Sequence, residues 1–304
     1  MTKEPPNATQ GIDADHVALM LVSTPIGNLG DLAPRAVEAL RTVDAVLCED
    51  TRHTINLLSV HGIRVKLIAL HDHNEEQRSA GLIASMQRGK RYALVSDAGA
   101  PLIADPGFRL VRGTIAAGLK VSGIPGANAA IMALALSGLP PHPFLFYGFL
   151  PARPGQRQAE LASIAAAEDA GLNATLIFYE APHRLAATLA DAVAILGDRP
   201  AAIARELTKR FEEIRRDTLP NLAAFYSTNE PRGEITLVVG PRPAAVEIPN
   251  DRLDAALLGA LATQRVRDAA STVAAQFGIS RARAYQRALR LRGVAPAGKL
   301  DAGA

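Results

Sequence analysis

Short apolar runs alternate with amphipathic stretches through the first half of the chain. "ALMLVST", "AVLCE", "RVKLIAL", "RYALVS" and "LKVSG" read as strands. Helices are predicted at "HTINLLSV", "EEQRSAGLIASMQR", "GFRLVRGTIAAG" and "NAAIMALALSG", and after "ALMLVST" as well. There Ala33, Ala36, Val37 and Leu40 share the spacing of one buried helix face. Asp31 is placed to cap that helix, and Pro34 falls in its first turn, where a missing N–H costs little. Such strand–helix alternation predicts a parallel sheet with helices on its faces.

The pattern changes after the proline-rich "GLPPHPFLFYGFLPARPGQ", where a domain junction is expected. Strands follow at "FLFYGFL", "ATLIFYE", "AAIAREL", "FEEIRRDTL" and "GEITLVVG", with helices at "QRQAELASIAAA", "PHRLAATLADAVAIL" and "NLAAFYS". "AAIARELTKR" and "FEEIRRDTL" lie too close for a crossover helix, so they should pair antiparallel and make the second sheet mixed. "GPRPAAVEIPND" reads as a linker. Beyond it, "STVAAQFGISRARAYQRALRLR" has the shape of helix, glycine turn, serine cap and helix, with Val273, Ala274 and Phe277 facing Ala284, Ala288 and Leu289. The expected organisation is a tail over residues 1–16, a parallel α/β domain over 17–140, a second α/β domain over 141–243 and a helical module over 250–296.

Composition narrows the picture. The 304 residues are 48% hydrophobic, enough for two cores, but only 4% aromatic, so base stacking is not expected to be the main business. The single cysteine, Cys48, forms no disulfide within the chain and reads as a buried strand residue in a cytoplasmic protein. The N-terminal residues contain no apolar core of signal-peptide length. "IPGANAAIMALALSGL" is short for a membrane span and reads as a buried helix. Net charge is +3, but residues 251–304 hold nine Lys/Arg against four Asp/Glu, a balance that suits either a polyanion or a solvated helix face.

The polar, Gly/Pro-marked segments "STPIGN", "EDTRHT", "HDHNE", "SDAGAPLIADPG" and "GIPGAN" all follow expected strands. Ligands bind at the carboxyl ends of strands in open parallel sheets, so these five loops are expected to form one pocket. Neither GxGxxG nor GxxxxGK[ST] occurs, which disfavours dinucleotide and nucleoside-triphosphate chemistry. Ala98, Gly99 and Gly126 permit close approach to the backbone, and Glu49 and Asp97 offer negative charge, as a cationic ligand requires. His71 and His73 would share one side of a continued strand, but no third ligand stands at useful spacing and no metal is expected. His183 in "EAPHR" is placed either to cap a helix or to touch substrate.

In order and spacing, "TPIGNLGDL", "EDTRHT", "SDAGAPLIADPG", "PGANAA", "GFLP", "FYEAPHR", "RELTKRFEE" and "GEITLVV" resemble the small-subunit (16S) ribosomal RNA cytidine 2′-O-methyltransferases of the RsmI type, in the tetrapyrrole methylase superfamily. The resemblance spans roughly residues 17–240, and the family also carries a C-terminal helical extension. It implies a two-domain α/β fold, S-adenosylmethionine as methyl donor, a homodimer, and a substrate cytidine in the decoding region of 16S rRNA. By the same resemblance Pro25, Asp97, Ala98, Gly99, Leu102, Asn128 and Ala129 line the donor site from the first domain, and Glu180 and Leu207 from the second. Asp97 contacts the donor's amino group or organises the loop. Asp105 serves in the same loop or caps the helix near Phe108.

Methyl transfer from a sulfonium is mostly a matter of alignment, and a ribose hydroxyl gains from a base or a charge stabiliser. The candidates are Glu49, Asp50, Arg52 and His53 in one loop and Glu206 and Lys209 in another, with Arg52 and Lys209 also suited to phosphate. The chain departs from the family pattern at Ala100 and Ala104, where Thr and Ser are common, and at "PGANAA", where "PGPSA" is common; tuned affinity is the expected consequence. Two other readings compete. One is methylation of a tetrapyrrole carbon on the same fold, disfavoured by "EDTRHT", "RELTKRFEE" and the basic C-terminal module. The other is a non-catalytic ribosome-binding factor, disfavoured by the intact donor loops.

Overall fold

The structure, a computed structural model, describes residues 17–243, 249–277, 279 and 281–294. The expected N-terminal tail, part of the linker, and the glycine and serine of the C-terminal turn lie outside the described residues. The chain forms two compact units, Met1–Arg242 and Pro243–Ala304.

The first unit opens with five strands: β1 (Leu19–Val22), β2 (Ala45–Cys48), β3 (Lys66–Ala69), β4 (Tyr92–Val95) and β5 (Val121–Ile124). They pair in the order β3-β2-β4-β1-β5, and every pairing is parallel. The strands are near-continuous in apolar residues because both sheet faces are covered. Met20, Val22, Val46, Ala93 and Val95 face α1 (Pro34–Thr42) and α2 (Thr51–Val60), whereas Leu19, Leu47, Tyr92 and Leu94 face α3 (Asp72–Gln87) and α4 (Phe108–Ala116).

Three local expectations change. Asp31 does not cap α1; it ends a 3-10 turn, Leu29–Asp31, whose cap is Asn28, and α1 starts at Pro34 without a side-chain cap. The strand before "HDHNE" does not continue through the histidines. His71 is the N-cap of α3 in a reciprocal box with Asn74, which ends the alternation that would have put His71 and His73 on one side. Gly107, not Asp105, occupies the N-cap of α4.

The second sheet contains β6 (Phe144–Phe149), β7 (Thr175–Glu180), β8 (Pro200–Arg205), β9 (Glu213–Thr218) and β10 (Ile235–Val239), in the order β6-β7-β10-β8-β9. Only β6 and β7 run parallel; β8 and β9 form the expected antiparallel pair. One face packs on α6 (Pro154–Asp169), α7 (Leu185–Leu196) and α8 (Leu219–Thr228). The other face packs on α5 (Ala129–Ser137) through Ala130, Ala133 and Leu134 against Ile177, Ala202 and Val238. α5 therefore follows the last strand of the first sheet in sequence yet is buried on the second, which couples the two domains. It is not buried all round: Ile131 and Met132 remain about half exposed, at 49% and 45%.

In the second unit, α9 (Asn250–Leu261), α10 (Val266–Phe277) and α11 (Arg281–Val294) share a small core of Leu253, Leu257, Val273 and Ala288, with Ala270, Ala274 and Ala284 packed beside it. Leu289, expected inside, is exposed, and Leu291 packs on the core instead. Arg287 makes two bonds to Asp254, 2.6 and 2.7 Å long, which removes one arginine of α11 from service to a ligand. No helix among the described residues is long and apolar enough to cross a membrane.

Candidate functional site

β1 leads into a helix on one face of the first sheet and the neighbouring β4 into a helix on the other. Their loops therefore part at the carboxyl ends of the strands and leave a crevice, the usual ligand position in such sheets. The two loops are tied across its floor. Thr24 and Gly99 exchange backbone hydrogen bonds of 2.9 and 3.1 Å, the Thr24 hydroxyl donates to the Ser96 carbonyl, and the Ser96 hydroxyl donates to the Gly99 carbonyl. Gly99 sits at φ +84, where an added Cβ would lie 3.3 Å from the Ile26 side chain. Its role is thus to let two loops meet, since its main-chain groups are already paired. Gly126 acts similarly, because a Cβ there would stand 2.9 Å from that of Ser23.

A cavity of about 400 Å³ occupies this crevice. The first domain supplies Ile26, the 97–100 and 103–105 segments, Asn128 and Ala129. The second supplies Phe149, Tyr179–Pro182, Ala204, Leu207 and Gly233–Thr236. Its size suits a small organic ligand, with apolar walls and a few polar groups to orient it.

Of the residues assigned to the donor site from sequence, Asp97, Ala98, Gly99, Asn128, Ala129, Glu180 and Leu207 line this cavity. Pro25 and Leu102 are not among the lining residues; Pro25 is buried, and Leu102 packs on the core beneath the first sheet. Glu180 lies at the wall, but its carboxylate is fully buried. It accepts from the Ala181 N–H and the Thr188 hydroxyl, and the Arg184 Nε lies 3.1 Å away. The Asn128 side chain accepts from the Ile131 N–H and caps α5. Asp97 accepts from the Asp50 N–H.

The candidates for base or charge stabiliser fall outside the lining. Asp50 is the N-cap of α2 and binds the Arg52 guanidinium and N–H, which hold its pKa down at about 2. Arg52 itself is 90% exposed. Lys209 bridges Glu206 and Glu234 at 2.8 and 2.9 Å; burial disfavours its charge, but these bonds prevail and raise its pKa. Glu49 is raised first by burial and then by the charges of Asp97 and Asp72. Of the five loops expected at one pocket, the one after β2 reaches it through the Asp50 N–H on Asp97 and the charge of Glu49, and the one after β3 only through the charge of Asp72. His53 and His183 are exposed.

Other cavity residues escaped the sequence reading. Asp105, read as a helix cap or a loop residue, lines the cavity, and its pKa is pushed up to about 6 by burial and then by Glu49, Asp97 and Asp72. Phe149 and Tyr179 form an aromatic wall with ring centroids 5.6 Å apart, and Phe146 meets the same tyrosine at 4.9 Å. Phe146 and Phe149 should point to opposite faces of a regular strand; a register shift between Phe146 and Gly148 brings both to Tyr179. The positive-φ residues other than glycine, among those described, are Leu102, Ala104, Glu206 and Thr208, all in two loops beside this cavity. Backbone strain gathers at functional sites in this manner. The family pattern at "PLIAD" and "RELTKR" marks the loops, but no pattern of apolar and polar residues marks their conformation.

Comparison with known proteins agrees with this architecture. The family described as Tetrapyrrole (Corrin/Porphyrin) Methylases matches residues 18–223, and the RsmI C-terminal HTH domain matches 247–292. Ribosomal RNA small subunit methyltransferase I of Mesorhizobium japonicum is 47% identical over 277 residues, 90% of this chain and 92% of that protein. The protein of the same name from Escherichia coli O157:H7 is 43% identical over 288 residues, 93% and 99% of the two chains. Among solved structures, diphthine synthase superposes with a TM-score of 0.54 at 17% identity over 73% of this chain and 89% of its own. A cobalt precorrin-4 methyltransferase gives 0.52 at 15% over 76% and 98%; both likenesses speak for the fold. The chain belongs to the ribosomal RNA small subunit methyltransferase I family, within the tetrapyrrole methylases.

Proposed function

We propose that this protein transfers a methyl group from S-adenosylmethionine to the ribose 2′-hydroxyl of a cytidine in the decoding region of 16S rRNA. The observation that carries the reading is the kinship with small-subunit rRNA methyltransferases along almost the whole chain, C-terminal module included. The cavity fits the donor by its chemistry. Ile26, Leu207, Phe149 and Tyr179 offer apolar walls to a purine, and Asp97 offers negative charge to an ammonium. The donor would be held by Asp97, Ala98, Gly99, Asn128, Ala129 and Leu207, with Pro25, Leu102 and Glu180 fixing the loops around it. When bound, the donor supplies an activated methyl carbon; the protein's share is to align the hydroxyl with it and exclude water.

We assign α11 to the RNA, through its exposed arginines Arg281, Arg290 and Arg292. The working form is assigned as a cytoplasmic homodimer, which sedimentation of the purified protein tests. The reaction itself is tested by giving the protein labelled S-adenosylmethionine and small ribosomal subunits that lack the modification, then mapping the RNA by mass spectrometry. A 2′-O-methylcytidine in the decoding region is expected. No label in RNA, with donor binding intact, would redirect the search to tetrapyrrole substrates. Deleting residues 250–304 should spare donor binding, weaken RNA binding and flatten its salt dependence; unchanged RNA affinity would make the module a packing element.

A further inference from the structure

Resting on that reading, we infer that Asp105 is the catalytic residue that takes the proton from the ribose 2′-hydroxyl. The other carboxylates of the cavity, Asp97, Glu180 and Glu234, are each already engaged. Asp97 accepts the Asp50 N–H, and the Glu180 carboxylate is consumed by Ala181, Thr188 and Arg184. Glu234 is paired with Lys209, and the Asn128 side chain caps α5. Tyr179 is a phenol whose pKa burial raises further, so it keeps its proton at neutral pH. Asp105 lines the same cavity, and among the described residues its carboxylate makes no hydrogen bond or ion pair. It sits in a loop bent through positive φ at Leu102 and Ala104, a costly shape that places a half-buried carboxylate at the ligand's edge.

The electrostatic surroundings suit that role. The charges acting on Asp105 are those of Asp97 in its own loop, Glu49 ahead of α2 and Asp72 in the first turn of α3, all acidic. Tyr179 and Glu234 line the cavity from the second sheet, and His71 acts on Glu49 rather than on Asp105. Burial together with these carboxylates makes Asp105 a stronger base than an ordinary aspartate while leaving it ionised at neutral pH.

In the step itself, the ribose oxygen forms its bond to the donor's methyl carbon as the carbon–sulfur bond breaks. The electron pair of that bond stays on sulfur, which becomes a neutral thioether. The hydroxyl proton passes to the Asp105 carboxylate and afterwards to water. The alternative, an oxygen that keeps its proton until after attack, would place positive charge on the ether oxygen in the transition state.

The test is single-turnover methylation of unmodified small subunits by the full chain at saturating donor, for wild type and Asp105→Asn, with donor and RNA affinities measured separately. The wild-type rate should rise tenfold per pH unit below about 6 and level off above it. Asp105→Asn should bind donor and RNA normally, lose the inflection, and slow by about 10²- to 10⁴-fold. A variant rate within about threefold of wild type, or a defect confined to donor affinity, would overturn the assignment and leave Asp105 as a partner of the donor's charge. If wild type itself makes no 2′-O-methylcytidine, the function proposed above fails first, and the assignment falls with it.

Discussion

Two loops flank the cavity and look alike by backbone alone. The loop after β4 passes through positive φ at Leu102 and Ala104, and the loop after β8 does so at Glu206 and Thr208. Asp105 in the first and Glu206 in the second are used in opposite ways. In the second loop, Glu206 accepts from Lys209 and from the Glu234 N–H, Glu212 accepts from the Thr208 N–H, and the Thr208 hydroxyl accepts from the Asn28 N–H of the first domain. Every acid there braces the chain. In the first loop the bracing falls to Thr24, Ser96, Asp97 and backbone groups, and Asp105 is left unpaired at the cavity. Similar strain therefore serves a scaffold in one loop and an available charge in the other.

The largest expected effect comes from breaking the brace of the first loop. Gly99→Val puts a β-branched residue at φ +84 and its Cβ 3.3 Å from Ile26, so the Thr24–Gly99 pairing cannot survive unchanged. Donor affinity measured by calorimetry should fall by at least about 100-fold, equivalent to about 2.7 kcal/mol. Normal affinity would remove this loop from the donor site.

The fate of that glycine shows what the sequence discloses. "SDAGAPLIADPG" announces a special loop after a buried strand, and the alternation of strands and helices gives the parallel sheet, the antiparallel β8–β9 pair and the second, mixed sheet. These features rest on periodicities that a single chain carries. The use of each loop residue does not. Gly99 looked open to a ligand but is spent on Thr24, and Asp105 stands two residues before the helix N-cap it was suited to occupy. Phe149 enters the cavity wall through a register shift that leaves no mark in the order of apolar residues. Asp50, Arg52 and Lys209 carry chemistry-bearing side chains in the right loops, yet pairings visible only in three dimensions occupy all three.

Breaking the brace of the second loop should cost less. Glu206→Ala leaves the Glu234 N–H without its acceptor and reduces the Lys209 ammonium to one partner. A loss of about 1–2 kcal/mol in a urea melt is expected, since these groups are only partly buried. Donor affinity should weaken by about tenfold, because Leu207 on this loop lines the cavity. A stability loss with donor affinity untouched would make the loop a scaffold alone.

Asp105→Asn tests the comparison from the side of stability. The Asp105 pKa rises from 3.8 to about 6 on folding, so its contribution is fully present below pH 3.8 and is lost as pH climbs through 6. At pH 7.5 the ionised carboxylate is a burden that asparagine lacks. The raw shift corresponds to about 3 kcal/mol, and solvent screening of a half-exposed group reduces this to about 1–2 kcal/mol. The variant should therefore melt about 2–6 °C above wild type at pH 7.5, with the gap closing toward pH 4. A variant that melts lower at neutral pH would mean that Asp105 is a bracing acid like Glu206.

The smallest effect bears most directly on the two backbones. Ala104 at φ 67 and Thr208 at φ 65 occupy matching strained positions, and glycine would relieve the strain at either. Left-handed backbone costs an ordinary residue about 1–2 kcal/mol, against which glycine adds about 0.4–1 kcal/mol of unfolded-state entropy. Ala104→Gly should consequently stabilise by up to about 1 kcal/mol, since the alanine methyl is exposed. Thr208→Gly gains the same relief but loses the hydroxyl that accepts the Asn28 N–H at 3.1 Å, so its net effect should be near zero or destabilising. Denaturant midpoints of the two variants, compared at one pH, decide the matter. Equal gains would show that Thr208 braces nothing and that the two loops differ only in the acid they carry.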